Sequence, residues 1–325
     1  MDEALYKERF EDDYKYINNC IEKYLPRESG LQKSVIEAMN YSVKAGGKRL
    51  RPMLILESYR LCNGKNNTEI EPFMAAMEFI HTYSLVHDDL PILDNDDYRR
   101  GMLTTHKKFG AGLGLLSGDG LLNYAYEILF KAILGKNALT ISRGLLEDSA
   151  ESEEEYTIVR DEVKFLKRRT KACACLSKKA GIYGMIGGQT LDVELTDNSV
   201  NEEQLDFIFK NKTGALIESA MMIGGILAGA DDETVSKLEK IGLLIGFAFQ
   251  IRDDVLDVIS DTETLGKPVL SDERNNKTTY VTLYGIDKSM EDVAALTAEA
   301  VDLIKEIGDN EFLLELVDKL INRDK

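Results

Sequence analysis

The chain has 325 residues, a formal net charge of −17 and a hydrophobic share of 44%. That share is close to the globular average, so a sizeable core is expected and disorder is excluded for most of the chain. The strong negative charge repels nucleic acid and anionic lipid at long range, which argues against either as a partner.

The cysteines and the N-terminal residues narrow the class of protein further. No Cys-x-x-Cys occurs and no histidine lies near the Cys-x-Cys pair at 173–175, which argues against a zinc site and a disulfide framework. The N-terminus has neither a basic start nor an apolar stretch, unlike a secretory signal. The longest apolar runs, 220–230 and 241–249, fall short of the roughly 18 residues of a spanning helix. We therefore expect a cytoplasmic protein without a membrane span.

Helical periodicity dominates from the first third of the chain onward. Val35, Ile36, Met39 and Val43 form an apolar stripe at helical spacing, alternating strand patterns are scarce, and only five prolines occur. We predict an all-α, single-domain helical bundle over residues 1–325. After this stripe comes GGKRLRP at 46–52, whose glycine pair lets backbone N–H groups approach an oxyanion beside three basic side chains.

The first aspartate cluster, HDDLPILDNDD at 87–97, follows an apolar helical run at 79–86. Its five carboxylates repel one another unless they are solvated or bind cations. Asp88 and Asp94 would not share a face of an ideal helix, but Pro91 can end the helix and let Asp94 fold back. The cluster is therefore either a surface acidic loop or a metal site.

The middle of the chain has an unusual charge pattern. EDSAESEEE at 147–155 precedes a basic stretch that ends at Lys171. We interpret 147–171 as a charged insertion made of a solvated loop and a surface helix; a partner-binding or regulatory insertion is the alternative. Further on, a second stripe occupies 205–209, and KTG at 212–214 opens another apolar helix. Glycines at 224–229 predict close helix packing or a helix end.

The second aspartate cluster, QIRDDVLD at 250–257, follows a run that is apolar nearly all round and therefore predicts a buried helix. Asp253 and Asp257 share a helix face. Three carboxylates at the end of a buried helix are costly without a cation, which favours a metal site over a solvated face. Mg²⁺ is usually shared between carboxylates and substrate phosphates, so two facing clusters would hold several ions against one diphosphate. No P-loop or GxGxxG occurs, which argues against nucleotide-binding folds.

Basic residues near the two clusters would bind a further phosphate group. Each alone is an ordinary surface cation, but their number around two aspartate clusters favours phosphate binding. They are found at five places: 48–51, Arg99–Arg100, Lys212, Lys267 and Lys277.

Together these motifs resemble the trans-isoprenyl diphosphate synthases, most closely the bacterial farnesyl diphosphate synthases. They follow the family's order from about residue 34 to 284. The motifs are GGKRLRP at 46–52, HTYSLVHDDLPILDNDDYRRG at 81–101, GGQTLD at 187–192, KTGALI at 212–217, FQIRDDVLD at 249–257, GK at 266–267 and KTTY at 277–280. Departures from the pattern at Met102–Leu103 and Gly120 remove no chemical group.

The resemblance implies a prenyl synthase fold with a central active-site cleft, a homodimer, and Mg²⁺ as cofactor, with three ions per site. It implies two metal-binding triads, of which Asp88, Asp94 and Asp253 would be direct ligands: Asp88, Asp89 and Asp94, and Asp253, Asp254 and Asp257. The residues it places at isopentenyl diphosphate are Gly47, Lys48, Arg51, His81 and Arg100. Those it places at the allylic diphosphate are Arg99, Lys212 and Lys267, with Thr213 and Gln250 near the developing carbocation.

The reaction implied is the head-to-tail condensation of isopentenyl diphosphate with dimethylallyl or geranyl diphosphate, giving mainly farnesyl diphosphate and pyrophosphate. Tyr83, five residues before Asp88, matches an aromatic position that limits chain growth. One alternative is a geranylgeranyl diphosphate synthase with the same site. A non-catalytic prenyl-synthase-like regulatory subunit and a terpene cyclase are the others; intact aspartate and isopentenyl-binding motifs argue against both.

Overall fold

A computed structural model describes residues 1–135, 153–196, 198–259 and 278–321, with the backbone alone at 153–159. Helices make up most of this part of the chain. In the first half they are α1 (Glu3–Lys23), α2 (Lys33–Lys44), α3 (Leu50–Leu61), α4 (Glu71–Asp88), α5 (Thr105–Phe109) and α6 (Ala111–Leu134). In the second half they are α7 (Glu153–Ala180), α8 (Met185–Glu194), α9 (Glu202–Ile208), α10 (Ala215–Ala228), α11 (Asp232–Ile259), α12 (Tyr280–Tyr284), α13 (Ile286–Ile307) and α14 (Glu311–Ile321).

Four other short elements occur in the described part of the chain. Asn67–Glu69 forms a 3₁₀ turn, and Phe209–Gly214 forms a π-helical segment between α9 and α10. The strands β1 (Tyr98–Arg99) and β2 (Met102–Leu103) pair antiparallel, with Tyr98 opposite Leu103. The all-α prediction is confirmed, and the described residues include no helix long and apolar enough to cross a membrane.

Two helices lie at the centre of the bundle because their sequences are apolar on nearly every face. In α4 every residue from Phe73 to Ile80 is buried, and in α10 nearly all are. Helix α4 packs against α6 and α3, while α10 packs against α3, α7 and α11. Buried apolar side chains from every helix except α5 and α12 form one contiguous core in the described part of the chain.

Glycines in and directly after α10 confirm the prediction for 224–229, which was close helix packing or a helix end. A Cβ on Gly224 would lie 2.0 Å from Ser58 Oγ and 2.4 Å from Ile55 O, so only glycine lets α10 approach α3 this closely. Gly229 ends α10 in the left-handed region at φ 92°.

The charged insertion predicted at 147–171 falls only partly within the described residues. From residue 153 onward its sequence belongs to α7. The basic side chains Lys164, Lys167 and Lys171 are exposed there, as expected for a surface helix. Residues 147–152, with the start of the acidic run, lie outside the described part of the chain.

Candidate active site

A cleft of about 820 Å³ lies between α4, α6, α8, the π-helical segment and α11. It brings together side chains from distant parts of the sequence, including most of those predicted for a site. The predicted residues that line it are Arg51, His81, Tyr83, Asp88, Arg99, Arg100, Lys212, Thr213, Gln250 and Asp253.

The first aspartate cluster reaches the cleft because α4 stops at Asp88 and the chain turns through Pro91. Asp94 N donates to Asp88 O at 2.9 Å, which folds the turn back as Pro91 predicted. Burial raises the pKa of Asp88 to about 6, and the Lys212 ammonium opposes the shift. Asp89 does not line the cleft; it is 3% exposed and accepts from Arg99 Nε at 2.6 Å.

The second cluster lies inside α11, whose last two turns carry all three aspartates. Asp253 lines the cleft. Asp254 is 4% exposed and accepts from Tyr280 N at 2.8 Å and from Gln250 Nε2 at 3.3 Å, so it ties α11 to α12. Asp257 is equally buried. The predicted shared face of Asp253 and Asp257 follows from the continuous helix, but only Asp253 is a cleft-lining residue.

Two arginines, Arg51 of α3 and Arg100 of the β1–β2 turn, and His81 of α4 form one side of the cleft. Arg51 Nη1 lies 3.3 Å from His81 Nε2; a guanidinium only donates, so this nitrogen accepts. Burial, together with the charges of Arg51, Arg100 and other arginines, holds the pKa of His81 well below 6.5. Burial also lowers the pKa of Arg51 to about 10, so Arg51 remains charged at neutral pH while His81 is neutral.

The opposite side is formed by α8 and the π-helical segment, which carries Lys212 and Thr213. Lys212 Nζ donates to Asp192 Oδ2 at 2.6 Å. Burial lowers the pKa of Lys212, but Asp192 and Asp88 raise it further, and the net pKa is above the ordinary value. Lys212 therefore stays charged. Thr213 Oγ1 donates to Gln250 Oε1 at 3.0 Å, which fixes the two side chains relative to each other.

Two residues with clear contacts in the site were given no role by the sequence reasoning. Gln189 Nε2 donates to Asp88 Oδ1 at 2.9 Å, and Asp192 pairs with Lys212. Both belong to GGQTLD at 187–192, so the motif itself was the available signal. Its second glycine has a structural reason: a Cβ on Gly188 would lie 2.1 Å from Lys212 N, and glycine lets α8 pack on the π-helical segment.

Two other predicted residues, Lys48 and Gly47, are not among those that line the cleft. Lys48 is exposed and lines a separate cavity of about 140 Å³ with Tyr6 and Lys319. Gly47 has φ 124° and lies behind Arg100, where a Cβ would come within 2.5 Å of Arg100 Cζ. Lys267 and its neighbour in the prediction, Lys277, lie outside the described residues.

Apolar side chains extend the cleft beneath the first cluster. Tyr83 is 6% exposed, and its ring contacts that of His87 edge-on at 5.6 Å between centroids. Within the described residues its hydroxyl has no hydrogen-bond partner. Leu122, Met185, Ile186 and Phe249 continue the apolar wall. The cleft is therefore lined by charged side chains and by apolar ones.

The donor set of the cleft fits Mg²⁺. Asp88 and Asp253, which line it together with Glu194, offer hard oxygen ligands, and burial disfavours the charged form of Asp88, which a divalent cation would offset. Within the described residues no group of three or more protein ligands converges. An ion here would rely on one or two carboxylates with phosphate oxygens and water, which is the usual protein environment of Mg²⁺.

Comparisons with known sequences and solved structures give one consistent result. The family model "Polyprenyl synthetase" matches residues 32–310. A farnesyl diphosphate synthase of Geobacillus stearothermophilus is 36% identical over 88% of this chain and 87% of its own. A chloroplastic geranylgeranyl pyrophosphate synthase of Capsicum annuum is 35% identical over 99% of this chain and 83% of its own. The crystal structure of a geranyltransferase from Legionella pneumophila superposes with a TM-score of 0.78 at 29% identity, covering 99% of this chain and 98% of that one. The chain therefore belongs to the polyprenyl synthetase family.

Proposed function

We propose that this protein catalyses the Mg²⁺-dependent head-to-tail condensation of isopentenyl diphosphate with dimethylallyl or geranyl diphosphate, giving mainly farnesyl diphosphate and pyrophosphate. The observation that carries the proposal is that two carboxylates and three cationic side chains line the same cleft as a set of apolar side chains. These charged residues are Asp88, Asp253, Arg51, Arg100 and Lys212. The polyprenyl synthetase family and its curated farnesyl diphosphate synthase relatives support the same activity.

In this proposal each substrate binds on a different side of the cleft. The allylic diphosphate lies on the side of Asp88, Asp253 and Lys212, with Arg99 next to it. Asp89 and Asp94 complete the first metal-binding motif, and Asp254 and Asp257 the second. Lys267, outside the described residues, is a further contact of this diphosphate. Isopentenyl diphosphate lies on the side of Arg51, His81 and Arg100, where the positive charges of the two arginines attract its phosphates.

The role of Lys48 in binding isopentenyl diphosphate stays a prediction from its motif. Gly47, which contacts Arg100, supports the same side of the cleft through its backbone. With this arrangement, the two anionic head groups are held apart and their hydrocarbon ends meet between them.

The reaction begins when the carbon–oxygen bond of the allylic diphosphate breaks, and its electron pair leaves with pyrophosphate. Bound Mg²⁺ ions, three in our proposal, would stabilise the charge on that leaving group. Lys212 and Arg99 share this role because both stay protonated in the site. Asp192 pairs with Lys212 at 2.6 Å and so restrains the position of its ammonium group.

The carbon–carbon bond forms when the double bond of isopentenyl diphosphate attacks the allylic cation. Arg51, His81 and Arg100 hold that substrate in attacking geometry. The hydrogen-bonded pair Thr213–Gln250 presents oxygen atoms to the cation, and the apolar wall excludes water that would quench it. A proton then leaves the new chain to the departing pyrophosphate, so no side-chain nucleophile is required.

Tyr83 supports farnesyl diphosphate as the main product. Its buried ring lies on α4 below Asp88, where a growing chain would extend into the cleft. A geranylgeranyl diphosphate synthase with the same polar residues is the second candidate, and the identity with the Capsicum annuum enzyme favours it to a similar degree.

We further propose that residues 1–325 form a single domain that acts as a homodimer in the cytoplasm. The contiguous core from α1 to α14 supports a single domain. Exposed apolar side chains on α6, among them Leu116, Phe130 and Leu134, support burial of that helix against a second copy. The four free cysteines agree with a reducing compartment. Sedimentation of the wild type and of Phe130→Glu tests the dimer; a monomeric wild type contradicts it.

Product analysis tests the proposed function. The purified chain is incubated with Mg²⁺, isopentenyl diphosphate and either allylic diphosphate, and the products are dephosphorylated and identified by mass spectrometry. Farnesyl diphosphate as the main product supports the proposal, and geranylgeranyl diphosphate supports the second candidate. Pyrophosphate release without chain extension contradicts both.

A further inference from the structure

Arg49 lies in the GGKRLRP segment, but the proposed mechanism gives it no role. It occupies the N-cap position of α3. Its backbone is in the left-handed region, with φ 48° and ψ 34°, which is rare for a residue with a long side chain. Its side chain is buried, with 5% of the residue exposed. Backbone strain of this kind persists only where the surrounding contacts hold it in place.

Those contacts come from three elements. Arg49 Nη1 pairs with Glu78 Oε1 of α4 at 2.6 Å, and Glu78 is 2% exposed. Arg49 Nη2 donates to Val43 O of α2 at 2.8 Å, and Nε donates to Asn18 Oδ1 of α1 at 3.0 Å. The guanidinium thus joins α1, α2 and α4 at the first turn of α3. Neither Arg49 nor Glu78 lines the cleft.

The pair lies directly behind the cationic side of the cleft. Glu78 and His81 are three residues apart on α4 and therefore share a face. Arg49 and Arg51 flank the start of α3, so the Arg49–Glu78 pair and the Arg51–His81 contact form two neighbouring links between the same helices. The preceding loop joins the group, since Arg100 Nη1 donates to Gly46 O.

The charge of Glu78 also affects the cleft. Desolvation lowers the pKa of both Arg51 and Arg100, and the Glu78 carboxylate is the first influence that opposes it in each case. Glu78 therefore helps to keep two cleft-lining guanidinium groups charged, although its own oxygens face Arg49. A buried ion pair is seldom a gain for stability alone, so an additional role is reasonable.

We propose that Arg49 and Glu78 are a positioning pair, which fixes Arg51, His81 and Arg100 in the geometry that binds the diphosphate of the non-allylic substrate. The pair touches no substrate itself. This inference rests on the proposed function, because it specifies how one of the two substrate sites is preorganised.

The experiment separates positioning from stability. Arg49→Lys, Glu78→Gln and the double variant R49M/E78M are compared with the wild type in steady-state assays. We expect each to raise KM for isopentenyl diphosphate about tenfold to a hundredfold, as a small misplacement of binding groups does, while KM for geranyl diphosphate changes less than about twofold. The double variant replaces the buried pair by apolar side chains and should therefore keep its thermal stability better than R49M.

Arg60→Met is the matched control. Arg60 also lies on α3 and pairs with Asp13 at 2.7 Å and with Glu57, but none of these residues lines the cleft. Arg60→Met should lower the thermal stability of the protein and leave the KM values for isopentenyl diphosphate and geranyl diphosphate near those of the wild type. The inference is overturned if R49M/E78M binds isopentenyl diphosphate normally, or if Arg60→Met raises that KM equally. A wild-type protein without chain extension would instead refute the proposed function.

Discussion

The first and second aspartate clusters contribute to the same cleft from different kinds of backbone. The first occupies a turn after α4, in which Asp94, Asp96 and Asp97 are all exposed. The second lies within the last turns of α11, where Asp254 and Asp257 are each 4% exposed. Only one carboxylate of each cluster, Asp88 or Asp253, is among the described residues that line the cleft.

This difference indicates a division of roles. Carboxylates in an exposed turn can rearrange around a ligand at little cost, whereas a buried carboxylate must be compensated by fixed partners. Asp254 has such partners in Tyr280 N and Gln250. Asp89 is the counterpart in the first cluster, since it is buried against Arg99. We infer that each cluster combines a carboxylate that faces the ligand with one that supports the structure.

Removing the two cleft-facing charges should give the largest effect. Asp88→Asn and Asp253→Asn are each expected to lower kcat/KM by about 10²–10³, the usual loss when one electrostatic contact to developing charge is removed. Steady-state kinetics with isopentenyl and geranyl diphosphates measure it. Asp97→Asn is the control, because Asp97 is exposed in the same turn and pairs with Lys107 at 2.8 Å. Near-normal activity in Asp88→Asn or Asp253→Asn would contradict the proposal that each cluster contributes one carboxylate that faces the ligand.

The next largest effect is expected on stability, which one substitution in each cluster should change to a different extent. Asp254→Ala leaves Tyr280 N–H without its acceptor, and we expect the free energy of unfolding to fall by about 1–3 kcal/mol. Asp94→Ala alters an exposed side chain and should change it by less than about 0.5 kcal/mol. Urea denaturation measures both values. Equal losses would show that burial does not separate the two clusters.

We expect α4, rather than α11, to contribute a histidine to the pH dependence of stability. Helix α4 leads into the first cluster and carries His81, whereas α11 has no histidine. Burial and the charge of Arg51 hold the pKa of His81 well below 6.5, so only the unfolded chain binds this proton as the pH falls below that value. The contribution of His81 to the free energy of unfolding should therefore fall by up to about 1.4 kcal/mol per pH unit below 6.5, while the raised pKa of Asp88, about 6, acts in the opposite direction.

The variant His81→Gln lacks this contribution and serves as the comparison. The stability of the wild type relative to the variant should decrease from pH 7.5 to 5.5, as measured by denaturation at several pH values. A constant difference over this range would mean that His81 takes up its proton equally in the folded and unfolded chains.

The smallest effect on rate is expected at the apolar floor. Tyr83→Ala removes the ring beneath the first cluster, and we expect products longer than farnesyl diphosphate with little loss of total turnover. Phe249→Ala makes the corresponding change four residues before Asp253 and should leave the longest product unchanged. Mass spectrometry of dephosphorylated products compares the two variants. An unchanged profile in Tyr83→Ala would show that α4 does not form the floor.

Much of this arrangement could be predicted from local sequence. The apolar runs before both aspartate clusters predicted buried helices, and Pro91 predicted the turn that returns Asp94 to Asp88. The contacts of Gln189 with Asp88 and of Tyr280 with Asp254 could not be predicted, because these partners are 101 and 26 residues apart. Their side chains meet only after α8 and α12 have packed against the central helices.

Local sequence is enough to predict a helical chain and to show which helix ends carry carboxylates or cations. Helical period, proline and glycine act over a few residues, so this information is local. Tertiary structure decided which charges enter the cleft: Asp253 does, Asp254 joins α12, and Lys48 lines a separate cavity. The physical reason is that the direction of a side chain depends on how its helix is rotated against its neighbours, which the packing of the whole core fixes.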